Sequence, residues 1–269
     1  MGLQRFTDYE TAIRGKWFDS EPYHSQLSQL VKWGLIRGYP DGSFRPGRWG
    51  GDVFVEFCII TYRKAMSEHE TSIIDSTMGS LVHVRGKGVG RASGFWTPDW
   101  RVVTNAHVVY FEYTEGKYAP AYEVEVYGNP GAGFSPTEPM QATIEKTDHA
   151  NDLVMLQVLP PSYDVKPEHP VLSSREMRSG LGVFALGHPY SLTWDVARGT
   201  IRHPERYINY WDVEQEVMGL DVAINPGNSG GMLVDYLSQL VGVPCAGVMA
   251  GNNFTFAIPI QKVRDLIGG

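Results

Sequence analysis

From Gly79 onward the chain offers short runs of β-type residues and hardly a stretch with helical period. Candidate strands fall at 80–85, 101–104, 122–127, 153–158, 182–186, 240–243 and 254–258, several of them β-branched, with Gly, Pro and Asn between them. Strand-length runs punctuated by turn residues are the pattern of a β-barrel or sandwich. Helical spacing returns only at 260–267. Residues 236–261 carry no charge, which in a helix would suggest a membrane span. Gly242, Pro244, Gly247, Gly251, Asn252, Asn253 and Pro259 interrupt that stretch, so it reads as core strands joined by turns. The expectation is a mainly β domain over 79–269 that crosses no membrane.

The first part of the chain differs. Leu27, Leu30, Val31 and Gly34 share one face of a helix over 25–36, and Asp52 stands near the start of a second helix over 52–65. Between them lies a loop with two turn signals, Gly38-Tyr39-Pro40-Asp41-Gly42-Ser43-Phe44-Arg45-Pro46-Gly47. We divide the chain into a small helical module at 1–68, a polar linker at 69–78 and the β domain at 79–269. With 42% hydrophobic and 20% charged residues the chain is not disordered. A net charge of −7, all of it arising after residue 70, argues against a nucleic-acid partner. Cys58 and Cys245 fall in different domains and read as buried thiols rather than a disulfide framework. The N-terminus lacks the continuous apolar core of a secretory signal.

Helix, GYPDGSFRP loop and helix together resemble one S-layer homology (SLH) repeat over 17–66. Members of that family often use three such repeats to grip cell-wall polymers. The family's Thr-Arg-Ala-Glu signature is replaced here by Gly51-Asp52-Val53-Phe54, which removes the arginine that would meet an anionic polymer. The module therefore reads as a docking or assembly element for a protein partner before it reads as an anchor to a cell-wall polymer.

Three segments of the β domain carry chemistry. Val102-Val103-Thr104-Asn105-Ala106-His107 delivers a histidine at a strand end, and Asn151-Asp152-Leu153-Val154 an aspartate entering an apolar strand. Asn225-Pro226-Gly227-Asn228-Ser229-Gly230-Gly231 sets a serine on a tight glycine loop. Singly, the histidine and the aspartate are more often structural, and the serine loop is as often a plain turn. Together they are the parts of a nucleophilic hydrolase, since a serine hydroxyl attacks only when an imidazole accepts its proton and a third group orients that imidazole. The other histidines show no metal-ligand spacing and no phosphate-cradling loop precedes a helix, so neither metal nor cofactor is expected.

Residues 79–268 resemble an HtrA-type serine protease domain of the trypsin fold. Besides the three segments, Leu186-Gly187-His188-Pro189 is similar to the family's Gly-Asn-Pro turn with His188 in place of Asn. Arg198-Gly199-Thr200-Ile201 and Phe256-Ala257-Ile258-Pro259 match the following strand and the closing motif. The resemblance implies a trypsin-like double six-stranded β-barrel and a serine endopeptidase acting on polypeptides. It implies that His107 is general base and then acid, that Asp152 orients it, and that Ser229 attacks. The N–H groups of Gly227 and Ser229 would form the oxyanion hole. Ala223 would lie at the base of the substrate pocket, with Gly247, Val248 and Met249 as one wall, an uncharged lining suited to small or medium apolar residues.

Asn228 stands where trypsinogen-type activation needs an acid, and no Ile-Val-Gly-Gly start occurs near residue 79. Activity without zymogen cleavage is therefore expected, governed by the ordering of loops at 203–220 and 227–231. No PDZ module follows before Gly269, which leaves the N-terminal module to supply targeting. Both resemblances imply an extracytoplasmic or cell-surface bacterial setting, whereas the lack of a signal segment implies the cytoplasm. The alternatives are a catalytically silent scaffold, against which the intact triad argues, and a protein of SLH-mediated surface attachment.

Overall fold

The computed structural model describes residues 66–114, 117–210, 213–247 and 254–268. Apart from Met66, the SLH-like repeat read at 17–66 lies outside the described residues, as do Val248 and Met249. The chain divides into two compact units, Met1–Ser72 and Ile73–Gly269. Residues 66–78 form a helix, α1, so the polar segment read as a linker is helical. The hydroxyls of Thr71 and Thr77 donate to the carbonyls of Ser67 and Ile73 one turn earlier, at 2.9 and 2.8 Å. Ile73 and Thr77, four residues apart on one face, are both buried.

In the second unit β1 (Leu81–Gly86), β2 (Gly90–Thr97), β3 (Arg101–Asn105), β6 (Val124–Gly128), β7 (Met140–Asp148) and β8 (Leu153–Val158) close into a barrel, in the order β1-β2-β3-β8-β7-β6. A separate hairpin, β4 (Tyr110–Thr114) and β5 (Lys117–Pro120), follows the turn after β3. The remaining strands are β9 (Val171–Leu172), β10 (Gly182–Gly187), β11 (Asp195–Tyr210), β12 (Val213–Leu220), β13 (Met232–Asp235), β14 (Gln239–Gly247) and β15 (Thr255–Pro259). Six of them run β13-β10-β11-β12-β15-β14, and pairing of β13 with β14 joins the two ends into a ring. The short β9 adds parallel to β14. Helix α2 (Ile260–Gly268) ends the described chain and buries Ile260, Val263 and Leu266.

Each ring has its own apolar interior, and a third apolar cluster lies between the rings. On β3, Val102 packs inside the first barrel and Val103 between the rings; on β8, Val154 and Leu156 are inside, while Leu153 and Met155 are between. On β10, Val183 and Ala185 fill the second ring, and Phe184 and Leu186 face the first. Alternate side chains of a strand point to opposite faces, so these strands must be apolar on both. That is why 153–158 and 182–186 read as unbroken apolar runs rather than alternating ones.

One expectation is corrected. The segment 203–220 is not a loop: apart from residues 211 and 212, outside the description, it is paired ribbon, with Tyr207 opposite Glu216 and Asn209 opposite Glu214. The register shifts between Ile201 and His203 and again between His203 and Arg206, around Pro204, which has no N–H to give a ladder. The uncharged stretch 236–261 contains β14 and β15. Among the described residues no helix is long and apolar enough to cross a membrane.

The middle cluster should dominate stability. Phe95, fully buried within it, should cost about 3–5 kcal/mol when replaced by alanine. Leu159→Ala, at an exposed site, should stay within about 0.5 kcal/mol. Urea unfolding followed by circular dichroism measures both.

Candidate active site

Strand β3 ends at Asn105, and the single 3-10 turn Ala106–Val108 carries His107. Asn105 pairs with Leu153, the first residue of β8, which puts Asp152 beside that turn. The bend into β8 is tied by Asn151, whose N–H and side-chain amide donate to the Asp148 carboxylate at 3.1 and 2.7 Å. Asp152 adopts a left-handed backbone, φ 51°, which a side chain rarely takes without compensation. The compensation is visible: its carbonyl accepts the Asn105 side-chain amide at 2.9 Å and the Ala106 N–H at 3.0 Å. Its buried carboxylate grips His107 at two points, Oδ1 accepting the backbone N–H at 2.9 Å and Oδ2 lying 2.7 Å from Nδ1. With the Nδ1 proton facing the carboxylate, Nε2 is left as the basic nitrogen.

Ser229 sits in the turn that precedes β13. The Asn228 N–H donates to Asn225 at 2.9 Å and the Gly231 N–H to Asn228 at 3.0 Å. Gly230, φ 78°, lies so close to the end of β3 that an added Cβ would collide with Thr104 Oγ1 and the Ser93 carbonyl. Only glycine fits there, and the fit brings the serine loop against the residues that lead into His107. The Ser229 carbonyl accepts the Ser93 N–H at 3.0 Å. The Ser229 hydroxyl makes one long hydrogen bond, 3.4 Å to the Cys245 carbonyl, and among the described residues none to His107. The structure therefore joins His107 to Asp152 directly and sets the Ser229 loop alongside, with its hydroxyl turned to Cys245.

Gly227, φ 106°, likewise leaves no room for a side chain, because a Cβ would strike the His188 carbonyl oxygen. Of the residues read as a substrate pocket, Ala223 is exposed and Gly247 closes β14 opposite Thr255. Among the described residues no three His, Cys, Asp or Glu side chains cluster as metal ligands.

Several residues at the site were not singled out in the sequence. A small cleft of about 60 Å³ opens on His107 and Asp152, walled by Tyr110, Tyr118, His149 and Gln215. Tyr110 meets the His149 ring edge-on at 4.8 Å, and Tyr118 stacks on it at 5.6 Å. The one sequence signal for His149 was its place three residues before Asp152; Gln215, buried between Glu214 and Glu216, gave none. His188 is buried too, 4.6 Å from the Trp194 ring and 5.2 Å from that of His83. Burial first, and the neighbouring His83 second, push its pKa down to about 3.

Two rings that bring an imidazole–carboxylate pair from one side against a glycine-bound serine from the other define the class of two-barrel peptidase domains. Comparison narrows the class. The family model described as a trypsin-like peptidase domain matches residues 92–243, more than half of the chain, and the chain belongs to that family. It is 31% identical over 215 residues to the serine protease HTR4 of Bos taurus, which covers 73% of this chain and 40% of that protein. It is 30% identical over 185 residues to the chloroplastic Protease Do-like 1 of Arabidopsis thaliana, covering 66% and 38%. The chain thus spans about two fifths of the length of these relatives. Among solved structures the inactive form of the Rv3671c protease superposes with a TM-score of 0.61 at 24% identity, over 75% of this chain and 94% of that one. The serine endoprotease of Yersinia pestis gives 0.58 at 23%, over 74% and 65%. At that identity both likenesses speak for the fold alone.

The buried His188 makes stability depend on pH. Its folded pKa lies below the ordinary histidine value of 6.5, so the unfolded chain takes up the proton first. The contribution is complete above about 6.5 and is lost as pH falls toward about 3. Between about pH 7 and about pH 4.5, wild type should lose about 2–3 kcal/mol more stability in urea titrations than His188→Asn; equal losses would contradict this.

Proposed function

We propose that this chain is a serine endopeptidase in which His107, Asp152 and Ser229 act as a catalytic triad. The observation that carries the reading is the two-point grip of Asp152 on His107, at 2.7 and 2.9 Å, beside a serine loop that accepts only glycine at its tightest contact. The family, and relatives named as serine proteases, support it.

In this reading the Ser229 hydroxyl leaves the Cys245 carbonyl and turns its proton toward His107 Nε2, a bond that forms in the substrate complex. As Oγ adds to the scissile carbonyl, His107 takes the proton, and the Asp152 carboxylate stabilises the imidazolium. His107 then protonates the leaving amine, and water repeats the sequence in reverse to free the acid. The N–H groups of Gly227 and Ser229 hold the oxyanion, each contributing about 3–4 kcal/mol to the transition state. Asn228 is buried and uncharged, so no carboxylate there waits for a newly cut N-terminus. That supports activity without zymogen cleavage. An uncharged pocket drawn from Ala223, Gly247, Val248 and Met249 suits small or medium apolar side chains before the cut.

Purified chain should degrade β-casein, and Ser229→Ala should not. Asp152→Asn should stay folded while its kcat falls about ten-thousand-fold. A peptide library read by mass spectrometry should show cuts after small or medium apolar residues; cuts after Lys or Arg would overturn the pocket, and casein turnover by Ser229→Ala would overturn the triad.

A further inference from the structure

Ser93 lies on β2 with no exposed surface, and its hydroxyl touches two segments at once. Oγ accepts the backbone N–H of His188 at 2.9 Å, donates to the carbonyl of Gly227 at 2.7 Å, and lies 3.1 Å from His188 Nδ1. A hydroxyl has a single proton. The Gly227 carbonyl can only accept, so that proton is committed to it. His188 Nδ1 must then approach Oγ as a donor, which fixes the imidazole in its Nδ1–H form. Nε2 becomes the bare nitrogen, and among the described residues it finds no hydrogen-bond partner for all its burial. The hydrogen-bond pattern thus gives each of the three groups one consistent role.

The carbonyl that Ser93 holds belongs to the peptide between Gly227 and Asn228. That peptide separates the two N–H groups assigned to the oxyanion. Gly227 itself, with φ 106° and no Cβ, has little intrinsic preference for one peptide orientation. Its orientation must come from contacts. On the N-terminal side the Pro226 carbonyl accepts the Tyr190 N–H at 2.8 Å; on the C-terminal side the Ser93 hydroxyl supplies the matching restraint. If the 227–228 peptide turned over, the following N–H groups would move with it, and the two donors would no longer converge.

We propose that Ser93 is a positioning residue for the oxyanion peptides, its proton aimed at the Gly227 carbonyl by the His188 imidazole behind it. The inference rests on the peptidase reading above. Ser93 touches no substrate; it acts through the Gly227–Asn228 peptide. His188 does what the Asn of the resembling Gly-Asn-Pro turn could also do, offering a side-chain N–H to Ser93.

The test is steady-state hydrolysis of a fluorogenic peptide by the full chain. Ser93→Ala should lower kcat about ten- to a hundred-fold, less than outright removal of a donor, with KM within about threefold. The affinity for a peptide boronate, which mimics the tetrahedral state, should fall in proportion to kcat. His188→Leu should repeat the loss, and His188→Asn should recover at least about fivefold over His188→Leu. Thermal unfolding reports whether each variant is folded; should Ser93→Ala not fold, the Leu and Asn variants of His188 read the same quantity. Ser93→Ala with wild-type kcat, a loss confined to KM, or equal kcat for the two His188 variants would overturn the inference. An inactive wild type would instead overturn the peptidase reading and this inference with it.

Discussion

The architecture depends on a layer of strands buried on both faces. β3, β8, β10 and β13 each pack one set of side chains into their own ring and the alternate set against the other ring. Hydrophobic burial contributes about 25 cal/mol per Å², so a strand that buries both faces is fixed in register more firmly than one that buries one. A one-residue slip of β3 would exchange Val102 and Val103 and also shift Asn105, and with it His107. Placement of the histidine is a consequence of core packing in this sense.

The strained and crowded positions gather where those strands end. Asp152 holds a left-handed backbone, Gly230 meets the end of β3, and Gly227 meets the His188 carbonyl. Away from a site, such features would be costly without return. Here each is held by hydrogen bonds to the neighbouring segment, and each fixes a group by which the chemistry would proceed: the carboxylate, the nucleophile and the oxyanion donors. The Ser229 hydroxyl is the loosest part, resting at 3.4 Å on the Cys245 carbonyl.

The sequence made individual strands legible where burial wrote them in apolar runs, while the double-barrel plan came from the resemblance to a known family. Residues 153–158 coincide with β8, and 182–186 and 101–104 fall one residue short of β10 and β3. It was illegible where a strand's outer face is polar: β7, Met140–Asp148, alternates exposed Gln and Thr with partly buried residues, and the β11–β12 ribbon carries charges that resemble loop. At the site, residue types that do chemistry announced themselves, and the contact of His107 with Asp152 followed from their strands being neighbours. Gln215, Tyr118 and Ser93 did not, because their importance lies in what the fold brings near them. For Ser93, only the approach of His188 and Gly227 gives the hydroxyl a task.

In the proposed mechanism the pairing of the His107 imidazole with the Asp152 carboxylate makes one alcohol oxygen reactive. Intact-mass analysis after treatment with a fluorophosphonate tests it most directly. One adduct per chain, located on Ser229 by tandem mass spectrometry and lost in His107→Ala, is the predicted result. Labelling spread over several serines, or labelling of Ser229 that persists unchanged without the His107 imidazole, would contradict it.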